Sequence, residues 1–136
     1  NYQVLDIATA TLDKRHKQMW RRGKRLGHVH PEERHATRIA AKKLRYTAEF
    51  FANLYSLAKS DSFIRNLSLL QDRLGTLNDI TITEKLLQQL AGLNPGSALD
   101  EALHIFSGWN ACNAMHNLAH LDEAWQTFIS QKPFWR

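Results

Sequence analysis

Apolar residues recur every three to four positions along almost the whole chain, and only a few short segments break the rhythm. That period belongs to amphipathic α-helix, because 3.6 residues per turn bring such positions onto one face. Six Gly and three Pro in 136 residues leave too few turn formers for a β-rich protein. The pattern predicts an all-α fold in a single domain covering residues 1–136. Four long helices with short connections imply an antiparallel four-helix bundle.

The first helix is expected from about Leu5 to Leu26. Leu5, Ala8, Leu12, Met19 and Leu26 share one face, with His16 and Trp20 at its edge. Gly27 to Pro31 reads as a connector, since Gly stops a helix and Pro suits the first turn of the next. The second helix is expected from Pro31 to Tyr55, with Ala36, Ala40, Leu44, Ala48, Phe51 and Tyr55 facing inward. Ser60, Asp61 and Ser62 read as a turn, and the third helix starts near Phe63. Its inner face carries Leu67, Leu70, Leu74 and Leu77. Gly75 and the Asn78–Asp79 pair leave open a kink or interruption before Leu86. Gly92 to Gly96 is a clear break. The fourth helix starts at Ser97, an N-cap residue type with Asp100 three positions on, and ends before Pro133.

Charge is sorted along this scaffold. Lys14 to Arg45 holds twelve Lys and Arg against Glu32 and Glu33, a net +10, whereas the whole chain carries only +5. A concentrated positive field on a folded domain fits a polyanion. On the first helix Lys14, Lys17, Arg21 and Arg25 form a stripe roughly 16 Å long, opposite the apolar face. On the second, His35, Arg38, Lys42, Arg45, Tyr46 and Glu49 fall within about 100° of one another. Lys43 lies nearer the opposite flank. With the two helices side by side, both basic stripes are expected to flank one groove. Arg provides a planar fork for two phosphate oxygens, and Lys a point charge that tolerates shifts in register. Glu49, Asp72 and Asp79 are candidates to hold the cations in place.

Other chemistries have less support. Cys112 is the single cysteine, so no internal disulfide can form, and a reducing, cytoplasmic setting fits. No basic neighbour activates it, and it reads as an inert, packed thiol. No apolar run approaches the ~20 residues of a membrane span, and no membrane partner is expected. The chain starts at Asn1, which reads as a piece of something longer. His28, His30 and His35, and separately His116 and His120, have spacings that a metal could use. Neither set belongs to an H-E-x-x-H pattern, and no metal or other cofactor is expected. There is no phosphate-binding Gly-rich loop and no carboxylate cluster for two metals, so no enzyme activity is expected.

Two runs carry a family resemblance. The first contains His35, Arg38, Lys42, Lys43, Leu44, Arg45, Tyr46 and Glu49. The second contains Leu70, Gln71, Asp72, Arg73, Leu74, Gly75, Leu77, Asn78 and Asp79. They resemble the two signatures of the CHAD family, the conserved histidine α-helical domains. Gly108-Trp109 and the stretch Ala124-Trp125 to Phe128 are similar to that family's closing helix. CHAD domains are helical, are built of two related four-helix halves, and bind inorganic polyphosphate through a basic surface. This chain resembles the C-terminal half.

The resemblance implies polyphosphate contacts at Arg38, Lys42 and Arg45, with the family histidine at His35. Lys14, Lys17, Arg21 and Arg25 would add contacts from the preceding helix. Tyr46 could donate its hydroxyl, while Glu49, Gln71, Arg73, Asn78 and Asp79 would touch ligand or brace the helices. It further implies non-catalytic binding, association with polyphosphate granules, and either a homodimer or a partnership with the missing N-terminal half. The rival reading is a helical module that binds RNA or DNA phosphates without sequence preference.

Overall fold

The computed structural model describes residues 2–26 and 30–136. Four helices follow in order: α1 (Tyr2–Gly23), α2 (Pro31–Phe51), α3 (Leu57–Leu93) and α4 (Ala98–Ile129), with a 3₁₀ turn at Ala52–Leu54 between α2 and α3. No strand occurs among the described residues. Each helix packs most closely on its neighbour in sequence, α1 on α2, α2 on α3 and α3 on α4. The all-α bundle expected from the periodicity is the observed fold.

Large aromatic side chains bring α4 back to α1. Trp20 meets Trp125 with ring centroids 5.8 Å apart. His16 lies among Phe63, Phe128 and Trp135. The chain after α4 folds under this cluster, burying Phe134 and Trp135. There the Trp135 indole donates to Asp13 Oδ1 at 2.9 Å and Arg136 Nε donates to the same oxygen at 3.0 Å. An Arg136–Asp13 ion pair at 2.8 Å completes the clasp. Burial pushes the Asp13 carboxyl up, but these hydrogen bonds and the Arg136 charge outweigh it, so its pKa falls below the ordinary value.

Several boundaries differ from the sequence reading. α1 ends at Gly23, not near Leu26. Gly23 is buried, and a Cβ there would overlap the Trp125 ring, so this glycine sets how closely α1 approaches α4. Gly27, His28 and Val29 of the expected connector lie outside the described residues. Pro31 begins α2 as expected. α2 stops at Phe51, and the turn falls at residues 52–56 instead of Ser60–Ser62. Those serines belong to α3 because the Ser60 hydroxyl, fully buried, donates to the Leu57 carbonyl at 3.0 Å. A serine satisfied by its own helix need not mark a turn.

α3 runs unbroken through Gly75 and the Asn78–Asp79 pair. Ser97 does precede α4, but its hydroxyl makes no cap; it is buried without a hydrogen-bond partner. Cys112 is exposed, not packed. It lies on a stretch of α4 that only α3 accompanies.

The four helices are unequal in length. α3 has 37 residues and α4 has 32, against 22 for α1 and 21 for α2. The packed core therefore occupies one end of the long α3–α4 hairpin. Leu12, Met19, Leu44, Phe63, Leu67, Leu70, Leu121 and Phe128 are its best-buried side chains. Beyond about Ile82 the hairpin continues as a two-helix arm.

A basic surface divided by α2

Project α2 at 100° per residue and its inner face holds Thr37, Ala40, Ala41, Leu44 and Ala48, all buried. Thr37 reaches the inside because its hydroxyl donates to the Glu33 carbonyl at 2.9 Å. Two flanks remain, and each meets a different helix.

One flank borders α1. Ala36, Ile39, Ala40 and Lys43 face Gln18, Arg21 and Arg22 across a cleft of about 260 Å³. A second cleft, of about 300 Å³, joins Arg21, Arg22 and Arg25 to Glu32, Glu33 and Ala36. Arg25 lies beyond the end of α1, so it does not continue the helical stripe, and it pairs loosely with Glu33 at 3.9 Å. Lys14, Lys17 and Arg21 are exposed on the outer side of α1.

The other flank borders α3 and carries Arg34, Arg38 and Arg45, with Lys42 toward its outer edge. Arg38 Nε lies 3.9 Å from the position a Cβ would take on Gly75 of α3. Gln71 and Asn78 share that side of α3 with Gly75, one turn away on either side. The two signature runs thus meet at the α2–α3 seam. The seam spans roughly 16 Å from Arg34 to Arg45. His35 and Tyr46 are exposed on the outer crest of α2.

The expected single groove between the first two helices, flanked by the α1 stripe and by Arg38, Lys42 and Arg45, is therefore not what the fold builds. α2 stands between two basic flanks. The α1 side holds Arg21, Arg22 and Lys43. The α3 side holds Arg38 and Arg45. The cause is angular: Lys43 and Arg45 are 160° apart around the helix when measured across its outer side, so they cannot share a groove.

Few of these cations are neutralised. Arg45 Nε lies 3.3 Å from Glu49 Oε1, the one bracing pair among those expected that forms. Asp72 and Asp79 make no ion pair among the described residues. The Arg45 guanidinium also sits 5.3 Å from the centre of the Tyr46 ring, within cation–π range. Burial lowers the pKa of Arg34 from its ordinary value, though an arginine remains a cation at neutral pH. Arg38 Nε, Arg45 Nε and Gln71 Oε1 are all buried atoms without a hydrogen bond. The Arg45–Glu49 contact is close enough for charge attraction but lacks hydrogen-bond geometry. Buried polar atoms are usually satisfied, so three orphans on one seam mark it as unusual.

Two residues fall elsewhere. Arg73 points to the α4 side of α3, where it lines a small cleft with Leu69, His120, Glu123, Ala124 and Thr127. Arg34 was not singled out from the sequence, although its position four residues before Arg38 places it on the same flank. On α4, His116 and His120 meet with their Nε2 atoms 2.9 Å apart. Among the described residues, no three His, Cys, Asp or Glu side chains gather as a metal ion would require. His30 and His35 are exposed, and His28 is outside the described residues. No helix among the described residues is long and apolar enough to cross a membrane.

The fold and the site define an all-helical bundle domain with a cation-lined α2. Residues 2–88 match the CHAD domain family, and the chain belongs to it. The match takes in α1, α2 and most of α3, including both signature runs. The closing-helix resemblance around Trp109 and Trp125 lies beyond the matched residues. No curated protein and no solved structure matches the chain.

Proposed function

We propose that this chain binds inorganic polyphosphate without turning it over, and that the polymer lies along the α2–α3 seam. The observation that carries this reading is the pair of buried arginine N–H groups there that make no hydrogen bond, Arg38 Nε and Arg45 Nε. An N–H held out of water without an acceptor costs free energy that a phosphate oxygen would recover. Arg34 and Lys42 extend the charge along the same side. The polymer's repeating anions suit a row of cations spaced by helical turns. Arg21, Arg22 and Lys43 on the α1 flank form a secondary contact for a chain that crosses α2. Family membership supports the ligand class, and granules of polyphosphate are the cellular location this reading favours.

Calorimetric titration with long-chain polyphosphate, beside RNA at matched phosphate concentration, tests it. Tight binding to polyphosphate and weak binding to RNA is expected, with affinity falling steeply as salt rises through counterion release. The triple variant Arg38→Ala, Lys42→Ala, Arg45→Ala should lose most of the affinity with its helical spectrum intact. Unchanged affinity would put the site elsewhere. The corresponding variant on the α1 flank, Arg21→Ala with Lys43→Ala, should lose less.

Tyr46 favours a second reading. The residue is 56% exposed, and a base could stack on its ring beside Arg45. RNA that competes equally with polyphosphate would establish a general phosphate-binding surface instead.

A further inference from the structure

The α3–α4 arm has a surface unlike the rest of the molecule. From Leu86 to Leu121 the only Asp, Glu, Lys or Arg residues are Asp100 and Glu101, in the first turn of α4. Those two are accounted for by the positive end of the helix. Between Ile82 and His120 only Ala91 is buried. A solvated helix pair normally covers itself with charge, and this one does not. Its exposed side chains include Leu86 at 52%, Leu93 at 77%, Ile105 at 67%, Trp109 at 54% and Met115 at 83%. Depletion of charge around exposed apolar side chains is a compositional mark of an interface core. Patches of this kind on a soluble domain indicate a docking site.

The total surface agrees. The chain exposes 8744 Å² at 15.7 kDa. A compact monomer of this mass would expose about 7,300 Å², so the excess is about 1,400 Å². A stable pair buries about 800 Å² per partner. The excess is larger than that area.

We infer that the occupant is a second copy of this chain, with two arms packing antiparallel across a two-fold axis. In the body of the molecule, α1 and α2 complete the four-helix cross-section around α3 and α4. In the arm those two positions are empty, and another arm contributes two helices of matching length. An uncharged face offers no sign for a charged partner to read, whereas it complements itself under two-fold symmetry. The antiparallel arrangement also holds the two α2 basic surfaces at opposite ends, where their like charges do not oppose assembly. This inference does not depend on the identity of the anion.

Sedimentation equilibrium of the full 136-residue chain over a range of micromolar concentrations tests it. A reversible dimer is expected. Trp109→Glu and Ile105→Lys, made separately, should each weaken it about tenfold or more. Phe50→Lys, at an exposed apolar residue on the body, should leave it unchanged. Far-UV circular dichroism checks that each variant remains helical, and Met115→Lys provides a third arm position should either variant unfold. A monomer at every concentration would overturn the inference and assign the arm to a different partner, such as a related helical half. A dimer that survives all arm substitutions would overturn it too, by moving the contact to another face.

Discussion

The two ends of the α3–α4 hairpin obey the same local rules and reach opposite outcomes. At the body end, Phe63, Leu67, Leu70 and Phe128 are sealed from solvent. In the arm, Leu86, Leu93, Ile105 and Trp109 are similarly apolar and mostly exposed. Periodicity and helix propensity do not separate them. What separates them is how many helices stand alongside: four at one end, two at the other. Burial here is a property of relative helix length, since the short α1 and α2 end where the arm begins.

Paired substitutions would break this contrast if it is wrong. The largest effect is expected for Phe63→Ala, about 3–5 kcal/mol of lost stability from a cavity in the aromatic cluster. Met115→Ala in the arm should change monomer stability by less than about 0.5 kcal/mol. Chemical denaturation measures both, and comparable losses would mean that the arm has a core of its own. Glycines form the next pair. Gly23→Ala should cost about 1–3 kcal/mol, because its methyl group would enter the space of the Trp125 ring. Gly108→Ala, with nothing within 4 Å of the new methyl, should be neutral or stabilise by up to about 1 kcal/mol through helix propensity.

Acid should act on the body before the arm. Burial among aromatic rings lowers the His16 pKa from its ordinary 6.5, with Asp13 opposing. Below that value the unfolded chain takes up a proton that the native chain resists, so stability falls as pH drops below about 6.5. Asp13, whose pKa is lowered from 3.8, adds a further loss as pH falls below that range. Thermal melts at pH 7.5 and 5.5 should show a lower Tm at the acid value, and His16→Phe should reduce the difference. The smallest effect concerns the two sides of α3: Arg73→Ala should leave polyphosphate affinity within about twofold, because a phosphate contact matters only where the polymer lies. A loss equal to that of Arg38→Ala would extend the binding surface round to α4.

Much of the fold was legible because helical periodicity is strong and Gly and Pro are scarce. The buried face of α2 and the leucines of α3 follow directly from it. Ser60–Ser62 misled because a serine can mark a turn or bond back to its own helix, and burial decides between them. Gly23 carried no local signal, since its partner Trp125 lies about a hundred positions away. Phe134 and Trp135 follow Pro133, beyond any periodic segment, so their return to the core could not be read from spacing.

At the site, the residues of the α2 flank were legible by angle alone. Which helix each flank would face was not, because that depends on packing order around the bundle. Arg34 could have been found by stepping four residues back from Arg38. Lys43 was legible as lying toward the opposite flank, but the α1 cations it joins there became clear only from the fold.

The clasp that joins Asp13 to Trp135 and Arg136 links residues more than 120 positions apart. Of these four helices, the first to be made is therefore among the last to be secured. Until residues 134–136 follow, the apolar side of α1 lacks its closing contacts while its cations are already displayed. Contacts this distant in sequence slow folding, and a nascent chain in that state is a cationic, amphipathic helix among abundant polyanions. The arrival of residues 134–136 makes the difference between a sticky segment and a packed helix.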